Sequence, residues 1–170
     1  MHNDSHCSKM IIEYAQLMST AHRYLDGEQY YGKTANGRKI ARWKLNSDLE
    51  HVLYKASHIK HPSGIWVRKS VSNYKWLYEM WTELNNEFMY RYNKDVPHES
   101  YRKLHEALKE PPMNMYEVGF CEPYQAMFDD VKNPNSSIRA YHDYYIKYKQ
   151  HLAKWTKRGI PFWYELQDAA

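Results

Sequence analysis

The sequence predicts an all-α protein, a single compact domain over residues 1–170 with about five helices. Three observations predict it. Apolar residues recur at three-and-four spacing through long stretches. Asp-Gly, Pro and Gly breakers separate those stretches. Strand signals are confined to one short basic segment around Asn36-Gly37.

The first helix is expected over 6–25, with Ile11, Tyr14, Ala15, Met18, Ala21 and Leu25 as its buried stripe. Asp26-Gly27 stops it. Residues 29–45 then read as a short hairpin turning at Asn36-Gly37, or as a basic loop that orders on a ligand. A short helix follows over 48–58, capped by Asp48, with Leu49, Val52 and Leu53 inward. After the break at His61-Pro62-Ser63-Gly64, one long helix over 65–92 is the candidate central core element, with Trp66, Leu77, Trp81, Leu84 and Phe88 on its stripe. Pro97 introduces a helix over 98–109, with Tyr101, Leu104 and Leu108 inward. Residues 110–135 hold four prolines and little periodicity. They read as a Pro-rich irregular excursion packed on the surface, with one helical turn at 124–131. Ser136 or Ser137 caps a last helix over 138–156, closed by Gly159 and Pro161.

The totals narrow the class. A chain of 170 residues suits one core. Two cysteines, Cys7 and Cys121, are too few for a disulfide scaffold and fit a reducing, cytoplasmic setting. No apolar run is long enough for a membrane span, and no charged-then-apolar leader opens the chain. The net charge of +4 is modest, but its distribution is uneven. Residues 29–47 hold Lys33, Arg38, Lys39, Arg42 and Lys44 with no acid, and 139–158 hold six cations against Asp143 alone. Tyr30, Tyr31 and Trp43 run through the first segment, and Tyr141, Tyr144, Tyr145, Tyr148 and Trp155 through the second. Cations interleaved with rings suit a phosphate backbone with stackable bases, so DNA or a nucleotide is the expected partner. The plainer reading places about half of the tyrosines in the core. Nothing in the pattern fixes an oligomeric state.

The first helix also carries an ordered polar row: Lys9, Glu13, Gln16, Thr20 and Arg23. Such a row can hold and polarise a polar ligand. Lys9 beside Glu13 could attack an electrophilic sugar carbon, with Glu13 as acid or base. A solvated face with i,i+4 pairing reads the same row without chemistry.

The stretch 54–62 is dense in donors, and Trp66 and Arg68 follow at once. With His58 and His61, these residues are candidates to handle phosphate or base edges at a helix start; an ordinary capped helix start is the alternative. His2, Asp4, His6 and Cys7 raise a metal question, as does the HxxH pair His58–His61. A site needs three or four such groups to converge, and no metal or other cofactor is assigned. No phosphate-binding loop, dinucleotide fingerprint, HExxH or nucleophile elbow is present.

Three stretches carry a resemblance: Lys9-Met-Ile-Ile-Glu13-Tyr14-Ala-Gln16-Leu17, Thr34-Ala-Asn36-Gly37-Arg38-Lys39-Ile-Ala-Arg42, and Arg158-Gly-Ile-Pro161-Phe-Trp163-Tyr164. In order and spacing they resemble the phage pyrimidine-dimer DNA glycosylases, the small all-helical "endonuclease V" repair enzymes. Lys9-Met10, Glu13, Gln16, the run Ser19 to Arg23, His58 to Pro62 and Trp66-Val67-Arg68 resemble small phage proteins of unassigned activity. The glycosylase resemblance implies a base flipped from the duplex, amine attack on the sugar and a helix carboxylate, in the host cytosol if the chain is phage-encoded. Gln16 stands at the position resembling that carboxylate, with Glu13 one turn earlier. On this reading Lys9, Glu13 and Gln16 are catalytic. Thr20, Arg23, His58, His61, Trp66 and Arg68 bind substrate, and Lys33, Arg38, Lys39 and Arg42 track the backbone. Two other readings stand beside it: a non-enzymatic nucleotide- or protein-binding module, and a transferase modifying DNA bases or nucleotides.

Overall fold

The computed structural model describes residues 2–165. It corrects the expected class. Helices hold about 53% of the chain, but a two-stranded antiparallel sheet stands beside them, so the protein is mostly helical and not all-α. Among the described residues seven α-helices form, in place of about five. The hairpin overturns the class because its backbone pairs as a complete ladder and not as a loop.

Helix α1 (Asp4–Asp26) is the axis of the core. Asn3 caps it by accepting from the His6 N–H at 2.9 Å. Ile11, Tyr14, Ala15, Met18 and Ala21 of its stripe are buried, as the periodicity predicts, with Cys7 beside them, while Leu25 is only half-buried. At Gly27 the chain leaves α1 so tightly that a Cβ would sit 2.5 Å from the Arg23 carbonyl oxygen. Strands β1 (Glu28–Lys33) and β2 (Lys39–Lys44) pair in register from Glu28↔Lys44 to Lys33↔Lys39. Gly37, at φ +73°, supplies the left-handed residue of the connecting turn.

The segment expected as a helix over 48–58 forms only α2 (Leu49–Val52). The reason is tertiary. Leu53 turns extended at ψ 146°, and the carbonyls of Glu50, Leu53 and Tyr54 converge on the Arg23 guanidinium instead of lying along a helix axis.

The helix expected over 65–92 is two helices, α3 (Pro62–Val67) and α4 (Val71–Tyr92). Ser70 adopts an extended conformation between them, and the Asn73 amide donates to the Trp66 carbonyl at 2.8 Å. Glu117, from the Pro-rich excursion, accepts from Ser70 Oγ, from Ser72 N and Oγ, and from Gly119 N. These donors hold its carboxyl below the usual range, the Gly119 N–H foremost. A carboxylate at the first turn of α4 also complements the helix dipole.

Trp81 of α4 is fully buried and donates to the Ile11 carbonyl at 2.8 Å, joining the two long helices. Helix α5 (Glu99–Leu108) adds Leu104 and Leu108 to the same core. The excursion through residues 110–135 is irregular, as expected, with one 3-10 turn at Asp129–Val131. Helix α6 (Ser137–Tyr148) ends earlier than its pattern suggests; the chain turns so that the Lys154 carbonyl accepts from Asp4 N at 2.8 Å. A last short helix, α7 (Phe162–Glu165), follows. Of the tyrosines only Tyr14, Tyr74 and Tyr145 are buried. No helix among the described residues is long and apolar enough to cross a membrane.

Candidate nucleic-acid interface

The polar row of α1 divides into two ends. Lys9 and Arg23 lie fourteen residues apart, about 21 Å along a helix. At the first end Lys9 pairs with Glu13 at 3.1 Å, with side chains 64% and 42% exposed. The pair lies in solvent, not in a dry groove. Gln16, half-buried, stands one turn before Thr20.

The second end is buried and committed to structure. The Ser57 N–H donates to Thr20 Oγ1 at 3.3 Å. Arg23 is 3% exposed and spends its guanidinium on the carbonyls of Trp43, Glu50, Leu53 and Tyr54 and on the Glu50 carboxylate at 2.5 Å. Glu50 also accepts from Leu45 N, and this bond, followed by Arg23, holds its carboxyl low. Arg23 thereby joins α1, the foot of the hairpin and the loop over 53–57.

The central donors take distinct places. His61 caps α3, its Nδ1 accepting from Ser63 N at 3.2 Å. His58 is exposed in a left-handed conformation at φ +49°. Trp66 is buried and donates from Nε1 to the Cys121 carbonyl, pinning the excursion to α3. Arg68 donates from Nη2 to the Ile59 carbonyl at 2.6 Å and lies over the Tyr24 ring at 4.4 Å. Its Nη1 is shielded from solvent and has no partner. The structure therefore brings Thr20, the 57–61 loop and Arg68 together around the last turns of α1. It leaves Lys9 and Glu13 at the far end.

The hairpin is the most exposed ordered element. Five of the six β1 residues are exposed, and Lys33, Arg38 and Lys39 stand in solvent with Tyr30 and Tyr31. Arg42 is half-buried opposite Tyr30. A two-stranded ribbon that buries so little is marginal by itself. Its foot is held by Arg23 on the Trp43 carbonyl and by the Tyr24–Trp43 ring contact at 5.7 Å. An ordered, acid-poor ribbon that adds little to the core is a candidate interface. Tyr24 belongs to it and was not legible as a site residue from the sequence. The available signal was its position four residues after Thr20 on the same row.

Elsewhere the imidazoles are tied into the fold. His2 meets Tyr14 Oη at 2.7 Å and Tyr145 Oη at 3.3 Å, and His6 meets the same Tyr145 Oη at 2.5 Å. Burial, the largest cause, pushes His2 down to about 3. His22, bonded to Tyr74 Oη at 2.9 Å, is pushed down to about 4 by burial. Among the described residues no group of three or more His, Cys, Asp or Glu side chains is placed to hold a metal ion. Two surface depressions, one beside Tyr124 and Asn133 and one beside Tyr78 and Glu83, include none of the site residues expected from the sequence. No protein-family model, curated protein or solved structure matches this chain.

Proposed function

We propose that this protein acts on DNA, gripping the sugar–phosphate backbone with β1–β2 and presenting Lys9 and Glu13, the exposed end of the α1 row, to a base. The observation that carries the reading is the hairpin, ordered and with Glu28 as its one acid, whose β1 is exposed at five of six residues and whose Lys33, Arg38 and Lys39 stand in solvent. The proposed chemistry is that of a base-flipping glycosylase with lyase activity, as the three resembling stretches imply. Glu13 takes a proton from Lys9, the free amine attacks C1′ of the sugar, the C1′–N bond breaks as the base leaves with a proton, and opening of the sugar ring gives the C1′ imine; at a site already abasic the amine adds to the aldehyde and loses water to give the same imine.

Borohydride reduction in the presence of abasic DNA tests this directly. The expected result is a covalent protein–DNA adduct with the wild-type chain that is lost in Lys9→Ala. Absence of an adduct, or undiminished trapping by Lys9→Ala, overturns Lys9 as the nucleophile.

One observation favours a second reading, a DNA- or nucleotide-binding module without chemistry. The Lys9–Glu13 pair is solvated, and Gln16 offers an amide where the glycosylase chemistry uses a carboxylate. On this reading hairpin binding persists while trapping fails.

A further inference from the structure

The hairpin carries more than charge. Residues opposite one another in an antiparallel ladder share a face, so Tyr31, Lys33, Lys39, Ala41 and Trp43 line one side of the ribbon. Lys39 Nζ lies 4.0 Å over the Tyr31 ring, while Tyr31 stays 63% exposed. Trp43 meets Tyr24 at 5.7 Å, and Arg68 backs the Tyr24 ring at 4.4 Å with Tyr24 still 41% exposed. Two aromatic rings are thus each backed by a cation and left largely in water, with a third ring at the foot of the ribbon. In the absence of a ligand, exposed rings of this size cost solvation, and the cations hold them in fixed orientation.

We infer that this face is a stacking track for an unpaired strand of DNA, running from Tyr31 past Trp43 to Tyr24 and Arg68. The inference rests on DNA binding by the hairpin as proposed above, and not on base flipping from a duplex, and it names the form of the nucleic acid. Tyr31 on β1 and Trp43 on β2 are diagonal neighbours on one face of the ladder, a separation of about 7–8 Å, roughly twice the 3.4 Å rise of a stacked strand. A chain following that separation has its bases drawn apart, and each is free to lie on a ring. A duplex keeps its base faces against one another and offers the rings only backbone and groove edges. The flanking Lys33 and Lys39 meet the phosphates, and no acid lies between residues 29 and 47 to repel them there.

The test compares three labelled probes of equal length at equal salt: oligothymidylate, a strand of abasic sites with the same phosphates, and a duplex. Stacking predicts that oligothymidylate binds about tenfold or more tighter than the abasic strand, and tighter than the duplex. Tyr31→Ala, at a position 63% exposed, is expected to shrink the ratio of oligothymidylate to abasic affinity about fivefold or more, with the salt slope unchanged. Tyr24→Leu provides a second variant that keeps apolar bulk at the foot. If the abasic strand and the duplex bind as tightly as oligothymidylate, the stacking track is overturned while the DNA reading stands. If no probe binds in a salt-dependent way, both are overturned.

Discussion

Arg23→Ala is expected to lower the free energy of unfolding by about 3–5 kcal/mol, measured by urea denaturation. The guanidinium is 3% exposed, pairs with Glu50 at 2.5 Å and satisfies the carbonyls of Trp43, Glu50, Leu53 and Tyr54. Removing it strands a carboxylate and four acceptors at the junction of α1, the hairpin and the loop over 53–57. A buried acceptor left without a donor costs more than the net worth of the bond it lost. The same variant is expected to loosen the hairpin, because the Trp43 carbonyl is one of its ties to α1. Proteolysis within 28–45 then becomes faster in the folded protein. A loss below about 1 kcal/mol contradicts the role of Arg23 as the hub.

Acid is expected to destabilise the fold well above the range where carboxylates titrate. His2 and His22 are held down to about 3 and about 4 by burial, against an ordinary 6.5. Above pH 6.5 both rings are neutral in folded and unfolded chains, and their contribution is fully present. As pH falls below 6.5 the unfolded chain takes up protons that the folded chain refuses. Stability then drops by up to roughly 1.4 kcal/mol per pH unit for each ring, until the folded values are reached. Glu50 and Glu87 act later, since both are held low, by the Leu45 N–H and Arg23 in one case and by Arg158 and Arg91 in the other. Their contribution is present above 4.5 and is lost as pH falls through their depressed folded values. Urea unfolding at pH 7, 6 and 5 measures the histidine window. His2→Gln is expected to flatten the slope there by about one proton's worth. Stability unchanged between pH 7 and 5 contradicts the account.

Local pattern carried much of the helical fold. The stripe of α1 from Ile11 to Ala21 and the residues Leu104 and Leu108 of α5 are buried where three-and-four spacing puts them. The Asn36-Gly37 turn also lies where its dipeptide predicts, because Gly37 takes the left-handed conformation that hairpin turns require. What pattern could not carry depends on residues far along the chain. The break between α3 and α4 is fixed by Glu117, more than forty positions later. Helix α2 is cut short by Arg23 of the first helix, and α6 ends where the chain turns to meet Asp4. The class reads as all-α because the segment over 29–45 is open between hairpin and loop: a six-residue ladder with exposed side chains has little apolar alternation to decide for strands.

The interface was legible in part. Charge clustering marked Lys33, Arg38, Lys39 and Arg42, and i,i+4 spacing marked Lys9 with Glu13. That Arg23 and Trp66 serve the core could not be read from spacing, since each is satisfied by backbone carbonyls that only the fold brings near. Tyr24 gains its place through Trp43 and Arg68, which approach it from two other elements.

The central claim is that the hairpin meets phosphates. Binding of labelled DNA between about 50 and 200 mM salt, for wild type and for the combined Lys33→Ala, Lys39→Ala and Arg42→Ala variant, tests it most directly. The account predicts affinity that falls steeply with salt in the wild type, and a log–log slope shallower by about 2–3 in the variant. An unchanged slope, or binding indifferent to salt, contradicts it.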